Sequence, residues 1–385
     1  MTSPAFSSLN CAYFEAQVCH SCPEINVPYA QQVETKTQAV KLLLPEIPAS
    51  AWLPTQQSPQ FGFRNKAKMV VSGTAARPQL GILDRDFAGQ DLSDCPLYSA
   101  RLRALFPVLK SWISRLGISP YRVAEKTGEL KYLLVTENPA GQFMVRWVLR
   151  SHRHVNKLRA FTAQMRREVP QVVMMSVNIL PQHVALTEGE EELPLFGDYL
   201  EFALGKTRIQ LQPRSFFQTN TLIAHAMYQQ AQRWATVLQP QRAVDLFCGV
   251  GGFALFLAPV CRQVTGVEIS APAIEAAKRG ALASGLENVD FYAADATSFS
   301  LSEGGLQLSA KDLVLVNPPR RGIGVELAQW LNTGAQKAVI YSSCNPVSLA
   351  KDLKALTNFK PLRARVFDMF PGTAHTEVMV LLVRD

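Results

Sequence analysis

Residues 341–347 read YSSCNPV, with the apolar run AVIY leading in and VSLAKDLKAL, which has helical apolar spacing, leading out. Asn345 is a good helix N-cap and Pro346 suits the first helical position. Cys344 is therefore expected at a helix N-terminus, where the dipole favours an anion and lowers a thiol's pKa. A free thiol, with pKa ~8.5, is only a few per cent thiolate at neutral pH. Such a corner suits a nucleophilic sulfur; a buried packing cysteine is the competing reading. Glu377, in HTEVMVLLV, opens the last apolar run. It is a candidate general base, and a solvated strand end is equally compatible with its position.

A second set of residues surrounds VDLFCGVGGFAL, where glycines follow a predicted strand and open a predicted helix. Gly249, Gly251 and Ala254 fit a relaxed G-x-G-x-x-A dinucleotide pattern. That match does not separate NAD from S-adenosylmethionine. Glu268 ends the next strand, where a carboxylate can bind ribose hydroxyls in either cofactor. Asp295 ends the third, where a carboxylate can accept from an adenine amino group. Asn317-Pro318-Pro319 closes the fourth, DLVLV. In an open parallel sheet these strand ends share one crevice. An NPP turn recurs in methyltransferases acting on planar nitrogen, usually before an aromatic residue; here Arg320 follows, which argues against amino methylation. A nucleophile beside S-adenosylmethionine suggests carbon methylation of a pyrimidine, with sulfur adding to C6 so that C5 can attack the methyl group.

The elements that must position these residues alternate after residue 211. Strands and helices follow one another up to SLAKDLKAL, and two strands, RARVFDMF and TEVMVLLV, end the chain. This predicts a helix-covered parallel sheet with an antiparallel edge. Residues 1–210 read as an α+β or mostly β domain with strands at FGFRNKAKMVVSG, YLLVTEN, FMVRWVLR and VVMMSVNIL. In FGFRNKAK a strand puts Arg64, Lys66 and Lys68 on one face, a plausible RNA backbone contact or an ordinary wet face. Residues 27–50 belong either with this domain or against the following one.

The net charge is +8, from 39 basic and 31 acidic residues. Residues 141–167 hold seven Lys or Arg and no acid, which reads as a phosphate-binding surface or a solvated helix face. No apolar run is long enough to span a membrane, and the first residues show no secretory leader. A cytoplasmic location is expected, with cysteines reduced, metal-bound or catalytic. Cys11, Cys19 and Cys22 form C-x7-C-x2-C, and Cys95 follows. Four thiolates can hold zinc or an iron–sulfur cluster, and the spacing does not decide between them. Cys248 and Cys261 read as packing residues.

Together, SSCNP, HTEV, DLFCGVGGF, NPPRRG and PRSFFQTN resemble the motifs of the RNA 5-methyluridine methyltransferases, across essentially the whole chain. The resemblance implies a Rossmann-like S-adenosylmethionine-dependent methyltransferase domain over 211–385, preceded by an α+β iron–sulfur and RNA-binding domain over 1–210. It implies Cys344 as nucleophile and Glu377 as base. Gln218, Phe247, Glu268, Asp295 and Asn317 fall at its cofactor positions, and Phe216 is expected to stack on the target base. The family's ribosomal-RNA members carry a [4Fe–4S] cluster on cysteines arranged like Cys11, Cys19, Cys22 and Cys95. A short chain with four such cysteines and no preceding β-barrel implies 23S rRNA as partner, with uridine 747 as target and no obligate protein partner. The alternatives are 5-methyluridine formation at another rRNA or tRNA site, and a noncatalytic metal-stabilised RNA-binding protein.

Overall fold

The computed structural model describes residues 10–301 and 306–384. Residues 1–9, read above as carrying no secretory leader, lie outside the described residues. In chain order the first part holds α1 (Ala12–Glu15), α2 (Tyr29–Leu43), β1 (Lys66–Gly73), β2 (Pro78–Leu83), β3 (Gly89–Asp91), α3 (Ala100–Leu116), β4 (Leu130–Glu137), β5 (Phe143–Leu149), α4 (Val155–Glu168), β6 (Val172–Ile179) and β7 (Glu191–Phe196). A hairpin, β8 (Leu200–Leu204) and β9 (Thr207–Leu211), follows. The second part holds α5 (Thr221–Leu238), β10 (Arg242–Leu246), α6 (Gly252–Leu257), β11 (Gln263–Glu268), α7 (Ala271–Ala283), β12 (Val289–Ala293), α8 (Ala296–Leu301), β13 (Asp312–Val316), α9 (Gly324–Thr333), β14 (Ala338–Ser343), α10 (Pro346–Ala355), β15 (Phe359–Phe367) and β16 (Glu377–Arg384).

The first sheet has the order β3-β2-β1-β4-β5-β6-β7 and is antiparallel except where α4 carries the chain from β5 to a parallel β6. Alternation decides its faces. Ala67, Met69 and Val71 turn inward with Leu133, Val135, Val145 and Trp147 under α3 and α4. Ser99 caps α3 by accepting from the Leu102 amide, and Gly117 ends it at φ +58°, where a side chain would be strained.

The second sheet has the order β12-β11-β10-β13-β14-β16-β15. β10 to β14 are mutually parallel, and β16 is antiparallel to both its neighbours. The two C-terminal strands thus form the antiparallel edge that the sequence suggested, but in reversed order: the final strand inserts between β14 and β15. The β8/β9 hairpin packs on α7 and puts Leu200, Phe202, Ile209 and Leu211 into this unit's core. The change of pattern at 211 therefore falls just after a hairpin that already belongs to the second core.

The chain ahead of the first sheet crosses back. Val40, Leu44 and Ile47 join Leu349 and Leu353 in one apolar cluster. Leu53 and Gln56 donate backbone hydrogen bonds to Ala364 and Val366 of β15, covering an edge that would otherwise offer unpaired peptide groups.

Candidate active site

The strand insertion explains why Cys344 and Glu377 meet. Ser343 at the C-terminal end of β14 pairs with Val378 near the start of β16. Cys344 and Glu377, one residue beyond that pair on each strand, both line a cleft of about 1370 Å³. The corner at Cys344 is built locally. Asn345 caps α10 through an acceptor bond from the Val347 amide, and its side-chain amide donates to the Arg320 carbonyl at 2.9 Å. Ser343 Oγ accepts from the Asn345 amide at 3.1 Å. Below, buried Asp352 accepts from the Ile323 amide and the Tyr341 hydroxyl. Gly322, at φ +87°, leaves room for that carboxylate, since a Cβ there would sit 2.2 Å from Asp352 Oδ2.

The expected lowering of the Cys344 pKa does not occur. Burial pushes the thiol up and the Glu377 carboxylate adds to the rise, while Arg320 pulls the other way by charge and hydrogen bonding. Helix placement is outweighed because the thiol is desolvated and faces an acid. Glu377 is 3% exposed. Burial raises its pKa to about 8, and Arg320 opposes that rise too. Its Oε2 has no hydrogen-bond partner among the described residues, which leaves a lone pair for an incoming proton. Glu377 is thus no solvated strand end. Arg320 is the residue that sequence reasoning missed. It was read only as a departure from the amino-methylation pattern, yet it faces both the thiol and the carboxylate.

Gln218, Phe247, Glu268, Asp295 and Asn317 line the same cleft, as does Phe216, which is 72% exposed. The glycine turn is tight: Phe247, Gly249 and Gly251 all have positive φ, at +66°, +54° and +83°. A left-handed phenylalanine is uncommon and marks a backbone held for a purpose. Glu268 accepts from the Gly249 amide at 3.2 Å and the Ser270 amide at 3.0 Å, which ties β11 to the turn. Asp295 lies two residues past β12 rather than at its end. It accepts from the Ser298 amide at 2.9 Å, which holds it below the usual carboxylate range. Beneath the turn, buried Asp245 accepts from the Ala254 amide.

A family model described as tRNA (uracil-5-)-methyltransferase matches residues 195–385. A Serratia proteamaculans protein named 23S rRNA (uracil(747)-C(5))-methyltransferase RlmC is 46% identical over 98% of this chain and 100% of its own length. A Shigella sonnei protein of the same name is 44% identical over 98% of this chain and 100% of its length. The chain belongs to the RNA uracil-C5 methyltransferase family. The solved tRNA (uracil-54, C5)-methyltransferase of Pyrococcus abyssi, in complex with S-adenosyl-L-homocysteine, covers 94% of this chain and 85% of its own with a TM-score of 0.76 at 24% identity. The fold is that of the S-adenosylmethionine-dependent methyltransferases.

In this uracil-C5 methyltransferase the four N-terminal cysteines come together. Cys11, Cys19, Cys22 and Cys95 line one cavity of about 140 Å³, walled by Tyr13, Phe14, Ile25 and Leu97. All four are free thiols. Burial lifts Cys22 to about 11, with the neighbouring thiols adding to the rise, and lifts Cys95 as well. Among the described residues, no three or more His, Cys, Asp or Glu side chains are drawn together as a ligand set for a metal ion. Four thiols around one cavity are the donor type that a thiolate-bound group would use.

The two basic features are less open than their sequences suggested. Arg64 and Lys68 line the cysteine cavity. Lys66 is lowered to about 8, first by burial and then by Arg146 and Lys68. Arg64 and Lys66 are half-buried and Lys68 is exposed. In 141–167, Arg146 is 2% exposed and bound to Glu192 and Glu188. Arg150 pairs with Glu129, and Lys157 donates to the Leu116 carbonyl. The acids missing from the segment arrive from other elements. Arg153 and Arg159 remain exposed. No helix among the described residues is long and apolar enough to cross a membrane.

Proposed function

We propose that this protein methylates C5 of a uridine in 23S rRNA, with uridine 747 as target and S-adenosylmethionine as the methyl-donating substrate. The observation that carries the chemistry is Cys344 and Glu377 on one cleft with Arg320 facing both. C5 of uracil is a weak nucleophile. Cys344 Sγ releases its proton to solvent and adds to C6, and the C5–C6 π pair moves onto C5 and O4 as an enolate. Arg320 favours the thiolate. C5 then takes the methyl group and S-adenosylhomocysteine leaves. Glu377 removes the proton still on C5, the double bond re-forms, and the thiolate departs from C6. The net exchange is one methyl for one proton.

Gln218, Phe247, Glu268, Asp295 and Asn317 hold the methyl donor, Glu268 at the ribose hydroxyls and Asp295 at the adenine amino group. Phe216 stacks on the uracil, which must leave any helical stack to reach the cleft. Cys11, Cys19, Cys22 and Cys95 would hold a [4Fe–4S] cluster, which would tie the N-terminal segment together; no step of methyl transfer passes through it. The near full-length likeness to relatives named for uracil 747 supports the RNA target. That substrate implies a cytoplasmic enzyme.

The test is incubation of purified protein with unmodified 23S rRNA and a labelled methyl donor, followed by mapping of the label. Label at uridine 747 is expected. Label at another uridine, or on tRNA instead, moves the target. An RNA that binds and gains no label would leave a noncatalytic RNA-binding protein.

A further inference from the structure

The β15–β16 connection, residues 368–376, stands between the cysteine cavity and Glu377. Its Gly372 carbonyl accepts from the Glu24 amide at 3.0 Å. Buried Gln32 accepts from the Gly372 amide at 2.8 Å and donates to the Glu24 and Val27 carbonyls. Gly372 has φ +78°, and a Cβ there would lie 3.2 Å from Cys22 Cβ and 3.8 Å from its Sγ. Lys36 grips the same loop at Asp368 Oδ1 and at the Phe370 carbonyl. Phe370 lines the active-site cleft beside Glu377. One short segment, from Cys22 to Lys36, therefore touches the cysteine cavity at one end and holds the loop that leads into the base. The attacking side is anchored elsewhere, by β14, the Asn345 cap and the Arg320 carbonyl.

We propose that the four-cysteine site positions Phe370 and Glu377 through Cys22 and Gly372, so that its loading governs the elimination step and leaves attack by Cys344 nearly untouched. The proposal rests on reading the four thiols as a cluster site. Gly372 and Gln32 are positioning residues: neither lines the cleft, and both fix a loop whose displacement moves a base. Misplacing a reacting group by an ångström costs up to about a hundredfold in rate. A merely stabilising loop would lower the amount of folded enzyme and leave the balance between the two chemical steps as it was.

The experiment uses the full-length protein purified anaerobically, with Gly372→Ala and Gln32→Met as variants. Gly285→Ala is the control, with comparable backbone strain at φ +65° and nothing within 4 Å of its Cβ. Two readouts are taken: iron content with the visible and electron-paramagnetic spectra in the absence of RNA, and the lifetime of the methylated protein–RNA adduct in single turnover. Both variants are expected to perturb the spectrum or shed iron and to lengthen the adduct's lifetime about tenfold, with adduct formation slowed less than about twofold. Gln32→Glu, which keeps the acceptor for Gly372, should recover part of the lifetime. An iron-free, colourless wild type would overturn the cluster reading itself. An iron-loaded wild type whose variants keep its spectrum or its adduct lifetime would overturn the coupling alone.

Discussion

Cys344 stands out in the sequence as a thiol at a helix start, whereas Glu377, whose position suits a solvated strand end equally, is singled out mainly by the resemblance. Their electrostatics were not legible in the sequence. Burial and the facing of side chains come from strand order, so the Cys344 pKa was expected low and lies high, and Arg320 went unnoticed. A base with a pKa of about 8 is mostly protonated at pH 6.5 and half ionised at 8. Decay of the methylated adduct should therefore quicken roughly tenfold over that range, as read by single-turnover labelling on denaturing gels. Glu377→Gln should stall with the methylated adduct at every pH, and Cys344→Ala should form none; an adduct from Cys344→Ala would remove the thiol from the mechanism. The same carboxyl affects stability. Its folded pKa lies above the ordinary 4.5, so its contribution is fully present below about 4.5 and lost as pH rises through about 8. Glu377→Gln should therefore raise the melting temperature at pH 9 and leave it unchanged at pH 4.

At the scale of elements, most strands and helices followed from periodicity, including α5 over Thr221–Leu238. The exceptions share a cause. Strand order is not written in local pattern, so the insertion of β16 between β14 and β15 was missed, and with it the reason Glu377 reaches Cys344. The acid-free run of 141–167 is partly neutralised for the same reason, because Glu188 and Glu192 reach Arg146, and Glu129 reaches Arg150, from distant segments. The corner at Asn345 shows how one residue can serve two elements. Its carboxamide oxygen caps α10 and its nitrogen holds the Arg320 carbonyl. Asn345→Ala should cost about 1 kcal/mol in urea unfolding through the lost cap and slow adduct formation on 5-fluorouridine RNA. Asn345→Asp keeps the cap and loses the donor. It should restore the stability and leave attack slow. If Asn345→Asp attacks at the wild-type rate, the tether to Arg320 is irrelevant to catalysis.

Across the whole molecule, residues 29–58 join the N-terminal cysteines to the catalytic sheet, and sequence left open which side the 27–50 part belongs to because its composition suits either. Contacts decide the matter physically. Lys36 and Asp368, 3% and 1% exposed, pair at 2.7 Å. The Tyr29 hydroxyl donates to the other Asp368 oxygen at 2.7 Å and accepts from the Ser58 amide. Asn220, at the start of α5, donates to Ser58 Oγ and the Met369 carbonyl. Removing one member of a buried pair strands the other charge without solvent, at a cost of about 3–5 kcal/mol, whereas replacing both can be nearly neutral. Lys36→Met should therefore lose about that much stability in urea denaturation. Adding Asp368→Asn, whose neutral side chain still accepts from Tyr29, should recover most of it. If Lys36→Met costs less than about 1 kcal/mol, a value typical of surface pairs, the pair is not what fastens the segment. A double variant as unstable as the single one would assign the loss to the Lys36–Phe370 carbonyl bond, and so to the loop before Glu377.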